Sequence, residues 1–360
     1  MHVPEMLGRA GFPVDAVITP KHSLRHVRGI SRMILAPPDE WASTVEKRLL
    51  SGEYSYFLNV DEQGLKALYD YSWHPDAVRF LPIDPASETA ATIGSKREFY
   101  DWCLRNRLPA PETHVCASFR QAWAMRQRLP GSWFLKGDSG SGGLSVLRCG
   151  HGSKPVGEMS PGTWLVQRDE GTDVGSGIFL ADHGRLVSWM GIRKVVCLNE
   201  GLGPTVLGHG DPREDVGELC RRVALASGVT GLTGFDFVRT PDRGLLLIDS
   251  HLGRMSPMQH FDRLYRVDFA AGLRACLLEK APGESSPPHP GPAFIKFPEV
   301  LQLIMQGGLR NLLKEMDPRA KILLSPPGDP LTGIRSACST VVSQARVNAG
   351  RWRRLVFSGQ

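Results

Sequence analysis

Gly231-Leu232-Thr233-Gly234-Phe235-Asp236-Phe237-Val238 leads, after a turn over 240–244, into Leu245-Leu246-Leu247-Ile248-Asp249-Ser250-His251. The pair reads as an apolar β-hairpin that carries chemistry. Strand alternation puts Asp236 on one face of its strand, while Asp249 and His251 share a face of the next. The hairpin then brings three potential ligands together in an apolar setting. Carboxylates in such a place are costly unless paired or metal-bound. Two carboxylates suit magnesium, which takes few protein ligands and completes its shell with phosphate oxygens and water. A structural Asp–Arg pair using Arg254 is the competing reading of the same residues.

Outward from the hairpin lie three weaker signals. Trp133-Phe134-Leu135-Lys136-Gly137 is an apolar strand ending on a lysine, followed by Asp138-Ser139-Gly140-Ser141-Gly142-Gly143 and a second strand from Leu144. Small residues let backbone N–H groups approach phosphate oxygens, and Lys136 adds a positive charge. No Gly-Lys-Ser/Thr opens a helix here, so this is not a Walker loop. Thr163-Trp164-Leu165-Val166-Gln167-Arg168-Asp169-Glu170-Gly171-Thr172-Asp173 is a buried strand running into a polar segment. Its edge can hold a base by backbone hydrogen bonds with a carboxylate on a ribose, or can equally be a surface hairpin. Gly191-Ile192-Arg193-Lys194, with Glu200-Gly201-Leu202-Gly203-Pro204-Thr205 after it, offers two adjacent cations that can meet a phosphoryl group or simply be solvated.

Residues before 86 alternate short strands (Val14–Thr19, Arg32–Ala36, Tyr54–Val60, Ala77–Leu81) with helices (Glu40–Leu50, Asp61–Tyr71), which implies a parallel sheet with helices on its faces. Met1–Leu7 reads as the first helix, so the recorded start lies downstream of the first strand or that strand has been lost. Residues 86–108 read as one helix capped by Ser87, and Arg213–Ser227 as another. Lys280–Pro292 is a Pro/Gly/Ser-rich linker ahead of a helical stretch, Pro298–Glu315, and a basic tail ending Arg351-Trp352-Arg353-Arg354.

The 360 residues are 41% hydrophobic and 22% charged, the balance of a folded globular chain. The formal charge is +6. That favours anionic ligands, but the basic residues are scattered and form no aromatic-interleaved stripe, so nucleic acid is not expected. Seven cysteines without a CxxC pair argue against a disulfide framework or structural zinc. No apolar run reaches membrane-span length and no signal-peptide core is present, so neither membrane nor export is expected and the chain reads as cytoplasmic. The strand–helix start brings to mind an oxidoreductase, but the Gly-x-Gly-x-x-Gly that reading needs is absent.

Taken in order, these segments resemble the ATP-grasp superfamily from about residue 90 to about 280. The resemblance implies an α/β architecture: a Rossmann-like pre-ATP-grasp domain over 1–88, a two-lobed ATP-grasp domain over 89–280 with its lid near 112–168, a linker over 281–293, and a helical, basic segment over 294–360. It places Lys96 and Lys136 as phosphate-binding lysines and Ser139, Gly140, Ser141, Gly142 and Gly143 as the flexible loop over the phosphates. Gln167, Arg168 and Asp169 stand at the adenine hinge, with Asp173 beyond them. Asp236, Asp249 and His251 fall at the metal positions, and Arg193 and Arg254 at those of catalytic arginines. Asp249-Ser250-His251 replaces the family's usual Glu-x-Asn, which keeps manganese open beside magnesium. The implied activity is an ATP-dependent ligase that activates a carboxylate as an acyl phosphate for attack by an amine, with small-molecule substrates and a homodimer as a common assembly. A non-catalytic ATP binder with an altered metal site and an ATP-grasp phosphotransferase are the alternatives.

Overall fold

The computed structural model describes residues 3–20, 22, 27–60, 62–140, 143, 145–150, 161–255, 259–278, 287–297 and 299–324. The N-terminal unit opens with helix α1 (Val3–Arg9), followed by parallel strands β1 (Asp15–Ile18) and β2 (Arg32–Leu35) and helices α2 (Trp41–Leu49) and α3 (Glu62–Tyr69). Two expected strands do not form. Residues 54–60 run without ladder partners. At 77–81 the chain instead makes a short helix, α4 (Pro75–Val78), because Pro75 sits in its first turn and the His74 side chain accepts from the Asp76 amide. A cavity of about 480 Å³ lies beside β1, lined by Val17, Ile34, Trp41, Val45, Tyr56 and Ala67 among others.

The expected long helix over 86–108 is divided. A 3-10 turn at Ala90–Thr92 is followed by Gly94 at φ +76°, and α5 (Lys96–Arg105) begins beyond it. Ser95, not Ser87, caps α5 by accepting from the Glu98 amide.

A four-stranded antiparallel sheet follows, in the order β3 (Thr113–Cys116), β6 (Trp164–Arg168), β4 (Trp133–Gly137), β5 (Val146–Cys149). Helix α6 (Phe119–Arg128) closes one face over Trp133, Leu135, Trp164 and Val166.

The main sheet has seven strands. Their order is β11 (Gly244–Ser250), β10 (Gly231–Thr240), β7 (Val174–Asp182), β8 (Arg185–Cys197), β9 (Thr205–Gly210), β12 (Phe294–Phe297), β13 (Lys321–Leu324). Alternation gives this sheet two apolar faces. Phe179, Trp189, Phe235 and Phe237 pack with α5 and α7 (Glu214–Ser227); Ile178, Leu180, Met190, Ile192 and Leu232 pack against α1 and α8 (Phe269–Leu277). Segment 294–297 is thus part of the main sheet, paired antiparallel with β9, rather than the start of a purely helical tail. Beyond it, the expected helix over 298–315 is split at Gly307 and Gly308 into α9 (Glu299–Met305) and α10 (Leu309–Glu315). The Arg351–Arg354 cluster lies outside the described residues.

Candidate functional site

A cavity of about 200 Å³ opens where the seven-stranded sheet, the N-terminus of α5 and the glycine turn meet. Its floor comes from the hairpin. Asp236 on β10 pairs with Asp249 on β11, and the register shifts just beyond, so that Phe237 faces Leu247. This bulge decides the site. In strict alternation Asp249 would share the apolar face of Leu245 and Leu247; the extra residue, Ile248, turns it onto the face of Asp236. With His251 just past the strand end, the donor atoms of Asp236, Asp249 and His251 all lie within 4.8 Å of one another.

Each group is tuned by its surroundings. Asp236 Oδ1 accepts from the Ser176 hydroxyl at 2.6 Å and Oδ2 from Lys194 Nζ at 2.6 Å. Burial alone would raise the Asp236 pKa, but Lys194, His251 and Ser176 outweigh it and bring it to about 2. For Lys194, burial opposes the charge and Asp236 overcomes it, leaving the ammonium pKa raised. Burial and the neighbouring Arg254 pull His251 down to about 4 against the attraction of Asp236, so its imidazole is neutral at pH 7. Its Nδ1 is buried without a hydrogen-bond partner. Two carboxylates and a neutral imidazole whose ligand atoms converge in this way fit a divalent cation, and the residues that could hold one are Asp236, Asp249 and His251.

The opposite wall carries Lys96, with Lys136 beyond it in a crevice between the two sheets. Asp138 ties the glycine turn to α5: its carboxylate accepts from Ser95 Oγ at 3.0 Å and from the Arg97 amide at 2.8 Å. Lys96 donates to the Gly140 carbonyl at 2.6 Å. Gly143 packs against the Leu202 backbone so closely that a Cβ would collide with its carbonyl oxygen, and Gly140 and Gly143 line the cavity. Lys136 is buried at the end of β4, donating to the Ile248 carbonyl at 3.3 Å. Burial, with Lys96 adding to it and Asp249 opposing, lowers its pKa to about 8. Ser139 accepts from Ser145 through its carbonyl, and Ser141 and Gly142 lie outside the described residues.

Several expected positions fall elsewhere. Arg193 is not in the cavity; it faces Asp173, at 2.8 Å. Lys194 takes the inward place because it shares a sheet face with buried Ile192, and alternation sends Arg193 to the other side. Asp173 is engaged by Arg193 and, at 3.9 Å, Arg239. Strand β6 is interior to its sheet, so the expected free edge at 166–168 is occupied by β3 and β4. Gln167 is buried and donates to Thr113, Arg168 reaches Glu112 at 3.5 Å, and Asp169 holds Arg148 at 2.7 Å. Gln167, Lys96 and Lys136 line a crevice of about 10 Å³ between the lobes, room for no more than a water. Arg254 does line the cavity, 3.7 Å from Glu62. Of the lining lysines, Lys194 was read only as one of two adjacent cations, with the site role given to Arg193, and Lys296 escaped the sequence reading.

No family model and no curated protein matches the sequence. Solved structures do match. The biotin carboxylase domain of Hydrogenobacter thermophilus 2-oxoglutarate carboxylase, solved with MgADP and bicarbonate, aligns at TM-score 0.57 and 14% identity over 77% of this chain and 66% of that one. An N5-carboxyaminoimidazole ribonucleotide synthetase in complex with ADP gives 0.58 at 10% identity, over 87% and 83% of the two chains. The L-amino acid ligase of Bacillus licheniformis gives 0.55 at 13%, over 79% and 74%. The fold is that of the ATP-grasp proteins. The cavity lies between the four-stranded sheet with its glycine turn and the seven-stranded sheet. Among the described residues no helix is long and apolar enough to cross a membrane.

Proposed function

We propose that the chain is an ATP-dependent ligase that activates a carboxylate as an acyl phosphate and passes it to an amine, releasing ADP and phosphate. The observation that carries this reading is the cluster in which Asp236, Asp249, His251 and Lys194 meet beneath Gly140 and Gly143. A carboxylate is a poor electrophile; transfer of the ATP γ-phosphoryl group gives it a leaving group. Such a transfer is catalysed by positioning and charge neutralisation rather than by a protein nucleophile.

In this reading Lys96 and Lys136 hold the phosphates under the glycine turn. Asp236, Asp249 and His251 would hold a divalent cation, which would supply charge neutralisation at the phosphates. Lys194 moves from Asp236 to the transferring phosphoryl group and takes the role the sequence assigned to Arg193. Arg254 steadies the oxyanion formed when the amine attacks. Adenine enters the interlobe crevice past Gln167, and its backbone partners come from the Glu170 amide and the carbonyls of 169–171, since the amides through Asp169 and that of Gly171 are already engaged. The lid must swing outward to admit it, because the crevice is closed, and close again to exclude water from the acyl phosphate.

The test is phosphate release from ATP by the purified protein, with magnesium or manganese, against pooled carboxylates and amines. Release that needs metal and both pools, and is lost in Lys136→Ala and Asp236→Asn, supports the ligase. Binding of ATP without release from any pool points to a non-catalytic binder, and a phosphorylated product without free phosphate to a phosphotransferase.

A further inference from the structure

We propose that the carboxylate substrate carries a second anionic group, a carboxylate or a phosphate, and that Lys296 recognises it. The inference rests on the ligase reading and adds the substrate class to it.

Lys296 is a lysine in an otherwise apolar strand, Phe294-Ile295-Lys296-Phe297, and only 6% of it is exposed. Its side chain nevertheless lines the cavity. Its ion-pair partner is Glu299, 2.6 Å away at the start of α9. The pair is incomplete: Glu299 Oε2 is buried without a hydrogen-bond partner. A buried ion pair kept for stability alone gains from having every oxygen satisfied, since each orphaned atom adds its desolvation penalty. That oxygen is an acceptor and offers an anion nothing; the group that can meet one is the Lys296 ammonium, held in the cavity wall by a single carboxylate.

Position separates Lys296 from the phosphate machinery. Lys194 on β8 lies opposite Gly208 on β9, and so, from the other side, does Phe294 on β12. Lys296 is two residues beyond Phe294, on the same sheet face. The two ammonium-bearing strands thus flank β9, about 10 Å apart by the ordinary strand spacing. Lys96, Lys194, Lys296 and Arg254 line the cavity against Glu62, Asp236 and Asp249, four cations to three carboxylates. Nucleotide and metal engage the end bearing Lys96, Lys194 and the two aspartates. That leaves Lys296 to face a group at the far end of the second substrate.

The experiment is calorimetric titration with glutarate, 3-phosphoglycerate and butyrate, with and without saturating ADP and magnesium. The proteins are wild type, Lys296→Met and the neutral double variant Lys296→Met/Glu299→Leu, which avoids stranding a buried carboxylate. At least one dianion is expected to bind wild type tenfold or more tighter than butyrate, and the preferred dianion identifies the anion type. That preference should fall to about twofold or less in the folded variants while ADP affinity is unchanged. A wild type without preference, or a preference kept in the double variant, overturns the proposal. ADP binding in the same titrations reports separately on the nucleotide reading.

Discussion

The seven-stranded sheet and the N-terminal unit both read from sequence as alternating strands and helices, yet they fold to different standards. The sheet has strands of up to 13 residues with partners on both sides, and each face carries a buried aromatic or aliphatic row. The N-terminal unit keeps two strands of four residues and encloses a cavity of about 480 Å³. Length and pairing account for the contrast. A long strand fixes register through many simultaneous burials, whereas a short apolar run such as Ala77–Leu81 yields to a proline and a capping histidine. The candidate site sits on the part whose geometry is over-determined, which is where the proposed phosphate and metal contacts would need it.

Core truncations break this comparison most directly. Phe235→Ala in the main sheet should destabilise by ~3–5 kcal/mol, as a large ring leaves a cavity that tight neighbours cannot fill. Chemical denaturation measures it, and a loss as small as that at Val45 would show the two regions to be equally well packed. Next in size is the contrast between neighbours on opposite faces of β8. Lys194→Met should lower metal-dependent turnover ~100-fold or more, and Arg193→Met by no more than about threefold. Equal losses in steady-state assays would undo the placement of Lys194.

Val45→Ala in the N-terminal unit should cost only about 1.5 kcal/mol, the transfer term alone, since the side chain already borders empty space. Ala67→Leu, which fills that space, should be neutral or stabilising by about 0.5–1 kcal/mol in the same denaturation series.

Much of the site was legible in the sequence, for physical reasons. Asp236, Asp249 and Lys136 stand out because charge in an apolar strand must be explained. The convergence of Asp249 with Asp236 was not derivable from strict alternation; it needs the bulge at Ile248. Lys194 was available to the same alternation that was applied to the hairpin, since Ile192 marks the inward face, but the neighbouring arginine matched the family pattern and drew the assignment. Lys296 carried the same signal as Lys136, a lysine among Phe294, Ile295 and Phe297, and was hidden by reading 294–360 as a helical, basic segment. The unpaired course of residues 54–60 had no sequence signal, because pairing depends on a neighbour strand and not on the segment itself.

The central claim, that a nucleotide's phosphates meet Lys136 in this cleft, is tested most directly by ATP affinity as a function of pH, measured by calorimetry in magnesium buffer. Burial holds the free Lys136 pKa at about 8, below its unfolded value, and a polyphosphate favours the charged form. Binding therefore takes up a proton above that pH. Affinity should be level from about pH 7 to 8 and then fall by up to about tenfold per pH unit, and Lys136→Ala should bind weakly with no such break. An ATP affinity that is flat across this range in wild type, or no ATP binding at all, would contradict the account.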